Sequence, residues 1–228
     1  MPPDETSRDF IVPPCTGAIG IHYQDSELLV IDKPSGLLSV PGRHPANQDS
    51  AISRLQEAQP EAKIVHRLDM ATSGLMLIAL NKDSHRALSQ QFERREVDKE
   101  YIADVFGRVN ADAGSIDLPL ICDWPRRPLQ KVCFDHGKPA QTHFRTLHRS
   151  ASYSRLLLTP HTGRSHQLRV HCAALGHPIL GCDFYAHPPA QHASSRLRLH
   201  ASRLTFTHPT HGKVISISSP PPFANAAF

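Results

Sequence analysis

The stretch of the chain whose residues could do chemistry is His66-Arg67-Leu68-Asp69, which stands just before the turn formers Thr72-Ser73-Gly74. An apolar run follows at residues 75–80, and such a run after a glycine predicts a buried strand. Asp69 is therefore expected on an ordered loop at the edge of a core, where a carboxylate needs a partner. It could take part in catalysis there, or it could only tie the turn together.

Five other motifs accompany this stretch in a fixed order. They read Asp-Lys-Pro-Ser-Gly-Leu-Leu at 32–38, Lys-Glu-Tyr at 99–101, Gly-Lys-Pro-Ala-Gln-Thr at 137–142, Gly-Arg-Ser-His-Gln-Leu-Arg-Val-His at 163–171 and His-Pro-Ile-Leu-Gly at 177–181. From about residue 23 to about residue 209, the chain resembles the RluA family of RNA pseudouridine synthases. Within that family, residues 37–43 and Asp-Trp-Pro-x-Arg-Pro at 123–128 resemble the RluA branch.

The resemblance implies an isomerase that converts uridine to pseudouridine in structured RNA. Asp69 would be the catalytic carboxylate, acting as a nucleophile at C1′ or starting a route through deprotonation at C2′. Arg169 would pair with Asp69 and lower its pKa, although a helix-surface arginine is the alternative. Tyr101 would stack on the base and could accept the C5 proton, directly or through water, and Leu168 would close the pocket beneath the base.

The reaction breaks the N1–C1′ bond, rotates the base and joins C5 to C1′, so the resemblance implies no cofactor and no metal. The absence of a phosphate-binding loop or dinucleotide fingerprint from the sequence agrees with this. The uridine must leave its stack to reach the carboxylate. Arg67 is our candidate to fill the vacated space, with a structural salt bridge as the alternative, and His66 is expected to support the loop.

Residues 107–141 interleave basic residues with prolines and the only tryptophan, Trp124. Single-stranded RNA needs this combination, because cations bind phosphates and a flat ring stacks on bases. The alternative is an ordinary Pro-rich connection with a buried Trp124. Phosphate contacts are expected from six basic side chains: Arg43, Arg126, Arg127, Lys131, Lys138 and Arg164.

The positioning elements follow from periodicity and capping signals. We expect strands at 28–31, 75–80, 101–106 and 155–159, and short strands near 197–199, 204–206 and 215–217. Helices are expected at 50–56, from an N-cap at Ser84 to about Glu96, and from an N-cap at Ser165 to Gly176. Many strands with few helices predict an α+β fold with a mixed, largely antiparallel sheet. The resemblance adds a central catalytic cleft and the pseudouridine synthase fold.

Length and composition set broader limits. The 228 residues are expected to form a loose arm (1–18), a single catalytic domain (19–217) without a separate N-terminal RNA-binding domain, and a loose tail (218–228). The net charge of +4 permits an RNA partner without demanding one. Five cysteines without a C-x-x-C pair favour reduced thiols in the cytoplasm. Residues 1–5 lack the basic and apolar segments of a signal peptide, so we expect none. No apolar run reaches about 18 residues, so we expect no membrane partner.

By resemblance, the RNA partners are a tRNA anticodon stem-loop and a hairpin of 23S ribosomal RNA, both modified by a monomeric enzyme. Another target for a synthase of the same family is one alternative. A non-catalytic RNA-binding protein is a second, but it would be expected to lose Asp69. A hydrolase using Asp69 is a third, but no second carboxylate or metal cluster accompanies that residue.

Overall fold

The structure is a computed structural model that describes residues 10–223. Twelve β-strands and four α-helices lie in this part of the chain. The strands are β1 (Gly20–Gln24), β2 (Leu28–Lys33), β3 (Lys63–Ile64), β4 (Ser73–Ala79), β5 (Asp98–Phe106), β6 (Ala113–Asp117), β7 (Leu120–Cys122), β8 (Gln130–Val132), β9 (Gln141–Arg149), β10 (Tyr153–Pro160), β11 (Leu199–Thr207) and β12 (Val214–Ser218). The helices are α1 (Ala51–Gln56), α2 (Lys82–Arg94), α3 (Gln167–Ala174) and α4 (Pro188–His192), and a 3₁₀ turn covers Trp124–Arg126.

The described chain divides into two compact units, residues 10–97 with 205–217 and residues 98–204 with 218–223. In the first unit, β2 lies between β1 and β4, and β3 also pairs with β4. Both β2 and β4 are buried almost throughout. The apolar run at 75–80 therefore forms the buried strand that the sequence predicts.

In the second unit, β10 lies between β5 and β9, and β9 pairs with β6. Strand β11 neighbours β5, and β7 and β8 form a separate hairpin. The pairs β1–β2, β2–β4, β3–β4, β5–β10, β9–β10, β6–β9 and β7–β8 are antiparallel, and the helices are few and short. The predicted α+β class with a largely antiparallel sheet is confirmed.

Two predicted helix starts are wrong. The N-cap of α2 is Asn81, whose side chain accepts from the Ser84 amide, while the Ser84 hydroxyl donates to the Glu27 carboxylate. The N-cap of α3 is His166, which has a left-handed φ of 54° and makes no side-chain capping bond. The three strands expected between 197 and 217 are two in the structure, because β11 runs unbroken from Leu199 to Thr207.

Part of the predicted N-terminal arm is described. Residues 10–18 have no regular secondary structure, but hydrogen bonds join them to the first unit. Asn47 bonds the backbone of Phe10 and Val12, and Arg54 donates to the carbonyls of Cys15 and Gly17. Residues 1–9 and 224–228 lie outside the described residues. Among the described residues, no helix has the length and apolar character that a membrane span requires.

The turn between β1 and β2 is organised around the carboxylate of Asp25. Burial alone would raise the pKa of this carboxyl, but hydrogen bonds from the Tyr23 hydroxyl, the amides of Glu27 and Leu28 and the His208 ring outweigh burial and lower the pKa to about 2. The ionised carboxylate therefore stabilises the folded state of the first unit.

We expect Asp25→Asn to flatten the acid dependence of stability. The pKa rises from about 2 in the folded chain to the ordinary 3.8 on unfolding. The stabilisation is therefore present above about pH 4 and is lost as the pH falls toward about 2. Between about pH 5 and about pH 3, the wild type should lose about 1 kcal/mol more unfolding free energy than the variant.

Urea unfolding at the two pH values measures this difference. Asp135→Asn is the control, because Asp135 is exposed and forms no ion pair with another described residue. This variant should show the acid dependence of the wild type. Equal acid losses in the wild type and in Asp25→Asn would contradict the prediction.

Candidate active site

The loop that carries Asp69 is held by a buried ammonium group. Lys33, at the end of β2, is fully buried. Its Nζ donates to the carbonyl oxygens of Pro34 (2.9 Å), Leu37 (2.7 Å) and Met70 (3.0 Å). Because Met70 follows Asp69 directly, the ammonium ties the Asp69 loop to the turn after β2.

Two serines from the same turn region fix the loop on either side of Asp69. The Ser35 hydroxyl donates to the Ala71 carbonyl (2.6 Å). The Ser39 hydroxyl donates to the Leu68 carbonyl (2.7 Å) and accepts from the Leu68 amide (3.1 Å). With Lys33, they immobilise the backbone before and after Asp69, whose side chain is half-buried. The turn itself is closed by a backbone bond from the Thr72 amide to the Asp69 carbonyl.

The two residues before this loop have different surroundings. His66 accepts from the Leu77 amide of β4 through Nε2 (2.9 Å). Its ring stacks on Phe92 of α2, with centroids 4.5 Å apart. Arg67 is exposed, and no described carboxylate forms an ion pair with it. His66 therefore braces the start of the loop, and the guanidinium of Arg67 faces solvent.

Arg43 lies elsewhere in the first unit. It is exposed on a turn in which the Gly42 amide donates to the Asn47 carbonyl. The structure gathers His66, Arg67 and Asp69 on one loop and places Arg43 on a separate turn.

Arg169 belongs to the second unit and is almost completely buried, at 3% exposure. Its Nε lies 3.4 Å from the Cys182 thiol, and its Nη2 donates to the Asp183 carboxylate. The guanidinium carbon lies 5.0 Å from the Phe184 ring centre and 5.3 Å from that of Tyr185. Such contacts fix the orientation of a charged group.

The helix-surface interpretation of Arg169 is therefore wrong. Residues 167–172 of α3 are all buried, Leu168 among them, so this helix has no solvated face in its first turns. Tyr101 lies on β5, opposite Leu158 of β10, and is half-buried.

The β7–β8 hairpin presents its connecting turn to solvent. Trp124 is 67% exposed, and the guanidinium carbon of Arg127 lies 4.4 Å from the centre of its ring. The alternative of a buried Trp124 is wrong. The 3₁₀ turn directs the indole toward solvent and away from the apolar cluster of Leu120, Ala140 and Val170 beside the hairpin. The turn thus carries an exposed, flat, cationic surface.

A buried carboxylate organises the cations of this hairpin. Asp123 binds Arg126 (Nε–Oδ2 2.6 Å) and Lys131 (Nζ–Oδ1 3.4 Å), and both cations remain exposed. Burial opposes ionisation of Asp123, but the hydrogen bonds and charges of Arg126 and Lys131 outweigh it and lower the pKa of the carboxyl. Asp123 therefore stays ionised at neutral pH and holds two cations at the surface.

Lys138 and Arg164 lie next to the same hairpin. Lys138 is exposed, and its backbone bridges Leu120 of β7. Arg164 Nε donates to the carbonyl of Pro139 (3.1 Å). The structure thus brings five predicted RNA contacts of the second unit together around the hairpin, namely Arg126, Arg127, Lys131, Lys138 and Arg164, with Trp124.

Lys33 and Asp123 are the site residues that the sequence reasoning missed. The role of Lys33 could have been predicted, because this lysine ends an apolar strand and precedes the turn residues Pro-Ser-Gly. A buried ammonium needs several acceptors, and a turn supplies carbonyl groups. Asp123 precedes Trp-Pro, and cations follow three and eight residues later. The ion pair with the cation eight residues away cannot be predicted without knowing the register of the β7–β8 hairpin.

Comparison with known proteins identifies the family of the chain. The sequence model of the family described as RNA pseudouridylate synthase matches residues 27–174. A dual-specificity RNA pseudouridine synthase RluA from Yersinia pestis is 58% identical over 193 residues, covering 84% of this chain and 94% of that protein. The protein of the same name from Escherichia coli K12 is 52% identical over 212 residues, covering 92% and 97%.

Solved structures agree. Human RNA pseudouridylate synthase domain containing 1 is 29% identical with a TM-score of 0.76, covering 92% of this chain and 86% of that chain. Human RNA pseudouridylate synthase domain containing 4, at 24% identity and a TM-score of 0.71 over 89% and 88%, shares the fold. The chain therefore belongs to the RNA pseudouridylate synthase family, the isomerases that convert uridine to pseudouridine in RNA.

Proposed function

We propose that this enzyme has two kinds of substrate, the anticodon stem-loop of certain tRNAs and a hairpin of 23S ribosomal RNA, and modifies one uridine in each. Support comes from relatives named dual-specificity synthases, which match most of the chain at 52–58% identity. The observation that carries the catalytic part of the proposal is the loop of Asp69, fixed on both sides by Lys33 and the two serines. Such anchoring holds a reacting carboxylate in one geometry.

In the proposed mechanism, Asp69 supplies the carboxylate that starts cleavage of the N1–C1′ bond. Arg169, whose guanidinium is buried and held by the Asp183 carboxylate, is assigned the role of the catalytic cation. Tyr101 packs its ring against the detached uracil while the base turns and C5 meets C1′. The base then loses the C5 proton, and the Tyr101 phenol or a water beside it is the proposed acceptor.

Substrate entry requires the uridine to leave its stack. We assign to Arg67 the role of filling the vacated space, which its exposed guanidinium allows. His66 keeps the loop attached to β4 during this exchange, and Leu168 forms the apolar floor under the base.

RNA docking is assigned mainly to the hairpin of the second unit. The Trp124 ring with Arg127 against it offers a stacking surface for an unpaired base. Phosphates would be met by Arg43, Arg126, Lys131, Lys138 and Arg164, all of which are basic side chains with solvent-accessible surface. We further propose that the enzyme acts as a monomer in the cytoplasm, where its five free thiols would stay reduced.

Asp69→Asn should abolish catalysis and spare RNA binding, because the amide is of similar size but cannot act as a nucleophile or base. Tritium release from C5-labelled uridine in an anticodon stem-loop measures the reaction, and we expect a loss of about 10³-fold or more. Asp83→Asn, an exposed carboxylate of the same unit, is the matched control and should keep the wild-type rate. A fully active Asp69→Asn enzyme would remove Asp69 from the mechanism.

Lys33→Met should release the loop of Asp69. The variant removes the ammonium and leaves three carbonyls without their donor, so unfolding should become easier by at least about 2 kcal/mol. The rate of tritium release at saturating RNA should fall more than RNA affinity does. Lys82→Met, an exposed lysine at the start of α2, is the control for urea unfolding and for activity. Unchanged stability of Lys33→Met would contradict the anchoring role.

Trp124→Ala should weaken RNA binding without loss of stability, because most of the indole is exposed. Stacking on one base is worth about 1–3 kcal/mol, so the Kd should rise about fivefold or more. Fluorescence anisotropy of a labelled stem-loop gives the Kd. Val214→Ala, which truncates another exposed apolar side chain, should leave the Kd unchanged. Equal Kd values for Trp124→Ala and the wild type would place the RNA elsewhere.

A further inference from the structure

Tyr185 links the RNA-docking hairpin to the helix that carries Arg169. Its hydroxyl oxygen accepts from the Gln130 amide of β8 at 2.9 Å. The same oxygen lies 2.6 Å from Nδ1 of His166, the residue at which α3 begins. One hydroxyl group thus bonds two elements that lie 36 residues apart in sequence.

The ring of Tyr185 continues this connection on its apolar side. It packs against the cluster of Leu120, Ala140 and Val170, which Val132 also contacts. Leu120 and Val132 belong to the hairpin, and Val170 is the neighbour of Arg169 in α3. The ring centre also lies 5.3 Å from the guanidinium carbon of Arg169. The hairpin and this helix therefore share one small core.

His166, which bonds the Tyr185 hydroxyl, has an unusual backbone conformation. Its φ of 54° is left-handed, a conformation that a residue with a side chain holds only when its surroundings fix it. The Tyr185 oxygen receives the Gln130 N–H, so the hydroxyl proton can go to Nδ1 of His166. Phe184 stacks on the same imidazole, with centroids 5.7 Å apart. Arg169 follows three residues later, so the backbone at His166 sets where its guanidinium lies.

We propose that Tyr185 is a positioning residue through which RNA seated on the Trp124 hairpin fixes the placement of Arg169. The role rests on the proposed function, since it assigns a catalytic contribution to Arg169 and RNA docking to the hairpin. RNA that presses on the Trp124 turn holds β8, and β8 holds the start of α3 through the hydroxyl. The hairpin thereby contributes to the rate as well as to affinity.

Tyr185→Phe tests this role, because it keeps the ring and removes only the hydroxyl. The rate of a single turnover at saturating RNA should fall about tenfold, and the Kd should change less than about twofold. Tyr153→Phe, which removes a hydroxyl from β10 in the same unit, is the matched control and should keep the wild-type rate. A merely structural role would lower the melting temperature and leave the saturated rate of the folded enzyme unchanged.

A double-mutant cycle tests the coupling itself. In the wild-type background, Trp124→Ala should raise the Kd and also lower the saturated rate. In the Tyr185→Phe background it should raise the Kd by the same factor and leave the saturated rate unchanged. If the two changes lower the saturated rate independently, so that their factors multiply, the coupling is overturned.

Variants of His166 provide a second line of evidence. Asparagine tolerates a left-handed backbone and carries an acceptor oxygen at the δ position, so His166→Asn should keep most of the saturated rate. Glycine also tolerates this backbone but has no acceptor, so His166→Gly should behave like Tyr185→Phe. Equal rates for His166→Asn and His166→Gly would overturn the inference. Activity of Asp69→Asn would overturn the proposed mechanism instead, so the two failures are distinguishable.

Discussion

The arrangement of the first unit depends on one buried cation. An ammonium group removed from water is stable only when hydrogen-bond acceptors replace its hydration, and Lys33 finds three of them in main-chain carbonyls. Two of these belong to the turn after β2, and the third belongs to Met70, next to Asp69. The cation thus joins the two segments.

The second unit uses the opposite arrangement, a buried anion beneath exposed cations. Asp123 is desolvated, yet Arg126 and Lys131 keep it ionised. The carboxylate offsets part of the charge of Arg126 and Lys131. It also restricts both long side chains in advance, so they would lose less conformational entropy on binding a phosphate. Arg127, stacked on Trp124, is restricted in another way. If RNA docks here as proposed, cations that are already ordered would favour RNA of matching shape over any polyanion.

The sequence predicted those features that depend on local patterns. The apolar run after Gly74 became β4, the spacing of apolar residues after Ser50 became α1, and six ordered motifs identified the family. Predictions failed where a remote contact decided. Ser84 does not cap α2 because the Glu27 carboxylate takes its hydroxyl, and Asn81 caps the helix in its place. The alternative of a helix-surface Arg169 failed for a similar reason, because Cys182, Asp183 and two aromatic rings cover the side chain. No periodicity within α3 encodes that cover.

Apart from Asp123, the anchoring residues that sequence reasoning missed share one property, which is that their side chains bond main-chain groups. Lys33 bonds carbonyls, Ser35 and Ser39 bond the loop backbone, and Tyr185 accepts from an amide of β8. Every residue supplies such groups, so side-chain identity at the partner position carries no signal. The motif around Asp69 can therefore be recognised from residue types alone, whereas the contacts that hold it in place are found only once strand register and turn geometry are known. A synthase with an intact Asp69 motif and an altered lysine or tyrosine at these anchoring positions would retain the family's chemistry but position it less well, so motif identity alone does not determine rate.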